Sequence, residues 1–307
     1  MDIILEKFIE LKKIFINTKY SSSSMWEDFL NHPPYSNFYL SFMNEDKDSM
    51  EKILYNYKRE YIVEFASPTI LDLSLLNKYN IQYNTNFTKD SSDLSNISNF
   101  GIGDINDCNI ATNGNVINSL SIRYYFTYLM LSTYIKPNIN ILEIGCNCPA
   151  GVASNILKYK KQDINCILLC DLYPVLLITY ATLLYNFPNL KIHFYKSTEK
   201  SEDVIKNNDI VLIIPNHLNN FQNCSIEFCF NSYSFSEMSI DNLNNYFNFL
   251  TITTKYIISE NKHKENNGSF IALLDIIPNN FVIERQIDNI NSPDGNHNII
   301  CFKNSNL

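Results

Sequence analysis

Apolar residues recur along this chain with two different periods, and the change between them divides it. Over the first third the spacing is helical: Ile4, Phe8, Leu11 and Phe15 share a face, as do Met50, Ile53, Leu54 and Tyr57. Asn31-His-Pro-Pro34 interrupts the pattern, and a polar Ser/Asn-rich stretch from Asn84 to Asn99 reads as an exposed loop. The turn-rich segment Gly101-Ile-Gly103-Asp-Ile-Asn106 follows, and then a helix predicted from Ser119 to Tyr134. Residues 1–118 are therefore expected to form an N-terminal, mainly helical region, and residues 119–307 a second domain.

From Asn140 onward short apolar runs alternate with helical patterns, as in a parallel sheet covered on both faces. Strands are predicted at Ile141–Ile144, Cys166–Cys170, Ile210–Ile214, Ile226–Asn231 and Tyr256–Ser259, with an extra one at Lys191–Tyr195. The helix Pro174–Phe187 is apolar nearly all round and should be buried. Ser239 is predicted to cap a helix with the stripe Ile240, Leu243, Phe247 and Leu250. The runs Phe281–Gln286 and Asn298–Phe302, joined through Ser292-Pro-Asp-Gly295, predict an antiparallel hairpin closing the sheet. The expected fold is α/β and Rossmann-like: a mostly parallel sheet, an antiparallel C-terminal hairpin, and the helical region ahead of them.

Composition narrows the setting. With 45% of its 307 residues hydrophobic, the chain can bury a sizeable core. No apolar run is long enough to span a bilayer, and the N-terminus is too charged for a signal peptide. A formal charge of −8 argues against a nucleic-acid backbone as the main partner, which would need clustered Lys and Arg. The eight cysteines are scattered through apolar runs, which suits reduced thiols and a cytoplasmic location.

Two of only seven glycines lie in Asn140-Ile-Leu-Glu-Ile-Gly145-Cys-Asn-Cys-Pro-Ala-Gly151. This is an apolar strand, a turn and the start of a helix; the next strand then ends on Asp171. Such a βαβ unit offers backbone N–H groups at the turn and a carboxylate that can accept both hydroxyls of a ribose. A dinucleotide fold wants G-x-G-x-x-G, whereas Asn147 holds the second glycine position here and Pro149 lacks an N–H. A P-loop would need Gly-Lys-Ser/Thr, which is missing from the turn. S-adenosylmethionine has no phosphates and tolerates such a turn better.

The segment Asn231-Ser-Tyr-Ser-Phe-Ser-Glu237-Met238 resembles the sugar O-methyltransferase family, in which Asn-x-x-Ser-Phe-x-Glu-Met follows the fourth strand. Asp171-Leu172, Ile213-Ile-Pro-Asn216, Ser259-Glu-Asn261 and Ser121-Ile-Arg123-Tyr-Tyr125 are similar to the family as well. The likeness spans about residues 100 to 302 and is specific only in the Ser-Phe-Ser-Glu-Met part. It implies a class I methyltransferase fold, S-adenosyl-L-methionine as cofactor, and a small-molecule or glycan acceptor. Family members usually carry Glu-Ile-Gly-Gly-Gly-x-Gly, from which Cys146 to Pro149 depart. Asn147 can preserve the turn, since Asn adopts positive φ at modest cost, and Pro is tolerated near a helix start.

Glu237 is the first candidate for a catalytic base, with pairing to Arg123 or helix capping as the alternative. His263, just past the fifth strand, is the second, against a solvated loop histidine. Glu143 and Gly145 are expected to shape the methionine end of the cofactor site, with Asn147 in its turn, and Asp171 to hold the ribose or cap the following helix. Asn231 and Ser234 are candidates for the amino-acid moiety, Arg123 for its carboxylate, and Asn216 for the far end of the site. His217 suits adenine contact or an ordinary loop role. Cys146-x-Cys148 lacks partners at zinc spacing, so no metal site is expected.

Overall fold

In the computed structural model, residues 1–15, 35–55, 119–146, 150–262, 272–288 and 297–307 are described, with positions 31, 97, 98 and 100 and the short strands at 110–112 and 115–117. Helices α1 (Asp2–Phe15) and α2 (Tyr35–Met43) open the chain, followed by a helical stretch at 47–55. Strands β1 (Ile110–Thr112) and β2 (Asn115–Ile117) form a small antiparallel pair ahead of α3 (Ser119–Ser132). That pair was not predicted; three-residue strands carry too little alternation to be legible. The expected loop at Asn84–Asn99 lies mainly outside the described residues, and the turn-rich segment at Gly101 wholly so.

From Asn140 onward strands and helices alternate as expected. Its elements are β3 (Ile139–Ile144), α4 (Gly151–Lys160), β4 (Ile164–Cys170), α5 (Tyr173–Asn186) and β5 (Ile192–Phe194). They continue as α6 (Ser201–Asn207), β6 (Ile210–Ile213), β7 (Ile226–Ser232), α7 (Ile240–Thr253) and β8 (Thr254–Lys262). A single turn of helix, α8 (Leu273–Ile276), precedes β9 (Phe281–Asp288) and β10 (His297–Asn304). The sheet runs β5-β6-β4-β3-β7-β8-β10-β9. Pairings from β5 to β8 are parallel, and β10 is antiparallel to both β8 and β9. The mostly parallel sheet with its antiparallel C-terminal hairpin is thus present.

Alternation along the buried strands sorts side chains onto two cores. Ile141, Ile167, Leu169, Phe228 and Phe230 face one side with α3, α4 and α5; Leu142, Ile144, Leu168, Val211 and Cys229 face the other with α7. Helix α5 is buried on all sides from Tyr173 to Leu183 because the N-terminal helices cover its outer face. Phe8 packs on Tyr180 at 6.1 Å and Phe42 edge-on to Tyr173 at 5.9 Å. Ser239 does cap α7, accepting the Asn242 N–H at 3.4 Å. Within its stripe Leu243, Phe247 and Leu250 are buried, but Ile240 is 48% exposed, because the first turn projects past the sheet.

Gly151 opens α4 where α3 crosses it, and a Cβ there would overlap the Tyr124 ring. Gly151→Ala should therefore destabilise the fold by about 1–3 kcal/mol through overpacking. Urea denaturation measures this, and an unchanged midpoint would contradict the close α3–α4 approach.

Candidate functional site

The sheet reverses its direction of build at β3: the chain moves outward through β4, then returns to β7 on the other side. Helices diverge at such a reversal and leave a crevice at the carboxyl ends of the strands. A cavity of about 210 Å³ lies there. Gly145 follows β3, Cys170 and Asp171 end β4, Asn216 follows β6 and Ser234 follows β7; all line it. Leu172, Leu218, Met238 and Tyr246 add apolar wall, while Asn219, Asn242 and Asn245 add neutral amides. Asp171 is the one carboxylate among the described residues of the lining.

Each tip has a local cause. Gly145 sits at φ 69°, and a Cβ there would overlap Ser234 Oγ, so the turn needs glycine on both counts. Its N–H donates to the Cys170 carbonyl at 2.8 Å, tying the end of β3 to the end of β4. Asp171 accepts the Leu172 N–H at 2.7 Å through one carboxylate oxygen, and the Cys146 thiol lies 3.7 Å from the other. It does not cap α5, whose N-cap is Leu172 with no side-chain acceptor.

Glu143 lies one layer below the cavity, 6% exposed, where it accepts the Ala153 N–H in the first turn of α4. It therefore anchors the helix after the turn rather than lining the hollow. Burial, and secondarily the charge of Asp171, push its carboxyl up to about 8. Asn231 is buried and all four of its amide hydrogen-bonding sites are filled. Nδ2 donates to the Ile144 carbonyl (2.7 Å) and Ser234 Oγ (2.5 Å); Oδ1 accepts from Phe235 N–H (3.0 Å) and Asn261 Nδ2 (2.8 Å).

Other sequence candidates fall elsewhere. Arg123 is absent from the cavity lining; it pairs with Glu260 at 3.3 Å, donates to Ser232 Oγ, and stacks on Tyr233. The alternative pairing of Glu237 with Arg123 is thus replaced by Glu260. Glu237 closes the short turn Phe235–Glu237, half-buried, between the lining residues Ser234 and Met238. His217 lies beside Tyr195 at 5.9 Å, held neutral by burial, while its neighbours Asn216 and Leu218 line the cavity. Asn147 and His263 lie outside the described residues; in that turn the described left-handed residue is Ala150, at φ 53°. Asn242, Asn245 and Tyr246 were missed in the sequence. Their i, i+3, i+4 spacing on α7 was the available signal, though a polar helix face ordinarily means solvent.

The strand order and antiparallel closing hairpin are those of the class I methyltransferase fold, with one further strand between β4 and β5. No family model and no curated protein matches this chain. Solved structures do. The M. capricolum protein TrmK, in complex with S-adenosyl-homocysteine, is 14% identical over 58% of this chain and 68% of its own, with TM-score 0.36. The methyltransferase domain of bacterial CtHen1 is 13% identical over 59% and 97%, with TM-score 0.40. A Galdieria sulphuraria protein described as a sarcosine dimethylglycine methyltransferase is 12% identical over 65% and 92%, with TM-score 0.40. Likeness at these identities concerns the fold alone. No helix among the described residues is long and apolar enough to cross a membrane.

Glu143 gives a pH-dependent expectation. Its folded-state pKa lies above the unfolded one, so the native state holds the extra proton between the ordinary carboxylate range and about 8. Stability should fall as pH rises through that window and level off above it. In Glu143→Gln this loss should disappear. Denaturation midpoints at about pH 6 and about pH 9 check it; parallel changes in wild type and variant would remove Glu143 as the source.

Proposed function

We propose that this chain is an S-adenosylmethionine-dependent O-methyltransferase whose acceptor is a sugar hydroxyl on a small molecule or glycan. The observation that carries the cofactor part is the cavity at the tips of β3 and β4, with the Asp171 carboxylate in its lining. The residues fit the group. Asp171 lines the cavity at the end of β4, where a carboxylate can accept the hydroxyls of a ribose diol. Leu172, Leu218, Met238 and Tyr246 offer apolar faces to an adenine ring, and Asn216 and Asn219 neutral amides to its edge. Among the described residues the lining carries one negative charge and no cation, which suits a ligand that carries positive charge and lacks phosphates. The sugar acceptor is supported by the resemblance of Asn231–Met238 to the sugar O-methyltransferase family, a segment that supplies Ser234 and Met238 to the cavity.

The cofactor, when bound, supplies an activated methyl group. The chain's task is then alignment of an acceptor oxygen behind that methyl, which can contribute about 7–11 kcal/mol. Gly145 and Ser234 set how closely ligand and backbone approach, and Asn231 fixes the turn that carries Ser234. A sugar hydroxyl holds its proton tightly, so a base must accept that proton as the bond forms. Glu237, half-buried at the cavity's edge, is our first candidate for that acceptor, and His263 the second.

Asp171→Ala should weaken S-adenosylmethionine binding at least tenfold, about 1.4 kcal/mol, in isothermal titration calorimetry. Unchanged affinity would contradict the ribose role, and a folded wild type giving no binding heat would point to a non-catalytic relative. Glu237→Gln should leave cofactor affinity intact and lower turnover on a glycan acceptor by about a hundredfold. Full turnover would eliminate Glu237 as the base.

A further inference from the structure

Tyr233, between the half-buried Ser232 and the cavity-lining Ser234, is held at φ 65°, a conformation that side chains other than glycine seldom adopt. The turn it makes is three residues long, closed by the Ser234 N–H donating to the Ser232 carbonyl at 2.9 Å, the strained hand of that turn. Such strain persists only where surrounding structure over-determines it. Here the surroundings can be named. The Tyr233 N–H donates to the Glu260 carbonyl on β8 at 2.8 Å. The Arg123 guanidinium, reaching across from α3, lies over the Tyr233 ring at 4.0 Å. Arg123 is fixed in turn by the Glu260 carboxylate, 1% exposed, and by Ser232 Oγ, which itself donates to Glu260 at 2.9 Å. Directly beyond this turn, Ser234 Oγ meets Gly145 and the Phe235 N–H donates to Asn231.

We propose that Tyr233 is a positioning residue: its ring, clamped under Arg123, holds the backbone left-handed so that Ser234 closes on Gly145 and completes the cavity wall. The ring acts on the backbone and makes no ligand contact. Arg123 thereby acquires a role other than binding the cofactor's carboxylate. Glu260, within the Ser259–Asn261 segment, becomes the member that holds the clamp to β8. The proposal rests on the cofactor reading above only for its affinity readout.

The distinction between holding the backbone and touching a ligand is open to a three-variant test. Tyr233→Phe keeps the stack. Tyr233→Leu removes the stack but keeps the penalty of a left-handed side chain. Tyr233→Gly removes the stack together with that penalty, since glycine takes positive φ readily. S-adenosylhomocysteine affinity by calorimetry, and amide hydrogen exchange at Tyr233 and Phe235 in the ligand-free protein, are measured for each. Tyr233→Leu should weaken binding about tenfold and speed exchange at both amides. Tyr233→Phe and Tyr233→Gly should stay near wild type in both readouts. A glycine variant as impaired as the leucine one would mean that the ring works by contact, and a leucine variant like wild type would mean that the turn needs no clamp; either overturns the proposal. If the wild type binds no S-adenosylhomocysteine, the cofactor reading fails, and the exchange pattern alone still decides the clamp.

Discussion

Gly145 and Ser234 meet where the ends of two adjacent parallel strands must turn in opposite directions. Because β3 pairs with β4 on one side and β7 on the other, the turns leaving it and β7 converge on one place. They can approach this closely only because one residue lacks a Cβ and the other is small. Asn231 then bridges them, with its amide bonded to the carbonyl that ends β3 and to both residues that follow in its own turn. Everything proposed for the site depends on this contact, which fixes one wall of the cavity while the Gly145–Cys170 hydrogen bond fixes the floor. An asparagine with four filled sites, buried under apolar layers, is costly to perturb, since any lost partner leaves a polar group unsatisfied.

Charge is distributed in keeping with that geometry. Glu143 and Asp171 end neighbouring strands, yet they differ in role because they differ in depth. Burial and proximity to Asp171 favour the neutral form of Glu143, which serves the first turn of α4. Asp171 meets the cavity and accepts the Leu172 N–H beside it. On the far side of the turn after β7, Arg123 is paired with Glu260. Among the described residues the hollow holds one acidic group and a collar of amides, a setting that suits a cationic, phosphate-free ligand.

Much of this was legible in the chain. The period switch at Asn140 marked the sheet, and the strands of the α/β half were found within about three residues because buried parallel strands read as uninterrupted apolar runs. Gly145, Asp171, Asn216 and Ser234 reach the cavity because residues at strand ends are placed by the topology itself. Less visible were features that depend on which side chains meet across the fold. Arg123 and Glu260 are separated by more than a hundred residues, and nothing local in the sequence pairs them. The cavity-facing side of α7 resembled a solvated helix face. Glu143 stood in the expected position but buried beneath the cavity rather than in its described lining, a matter of burial that strand periodicity does not give.

The central claim is that the crevice between the tips of β3 and β4 accepts the adenosine of S-adenosylmethionine. A crystal structure of the protein grown with S-adenosylhomocysteine tests it directly. The account predicts ligand density with the ribose hydroxyls on Asp171 and the chain running past Gly145 toward Ser234. A well-ordered crevice without ligand at saturating concentration, or ligand density located elsewhere on the molecule, would contradict it.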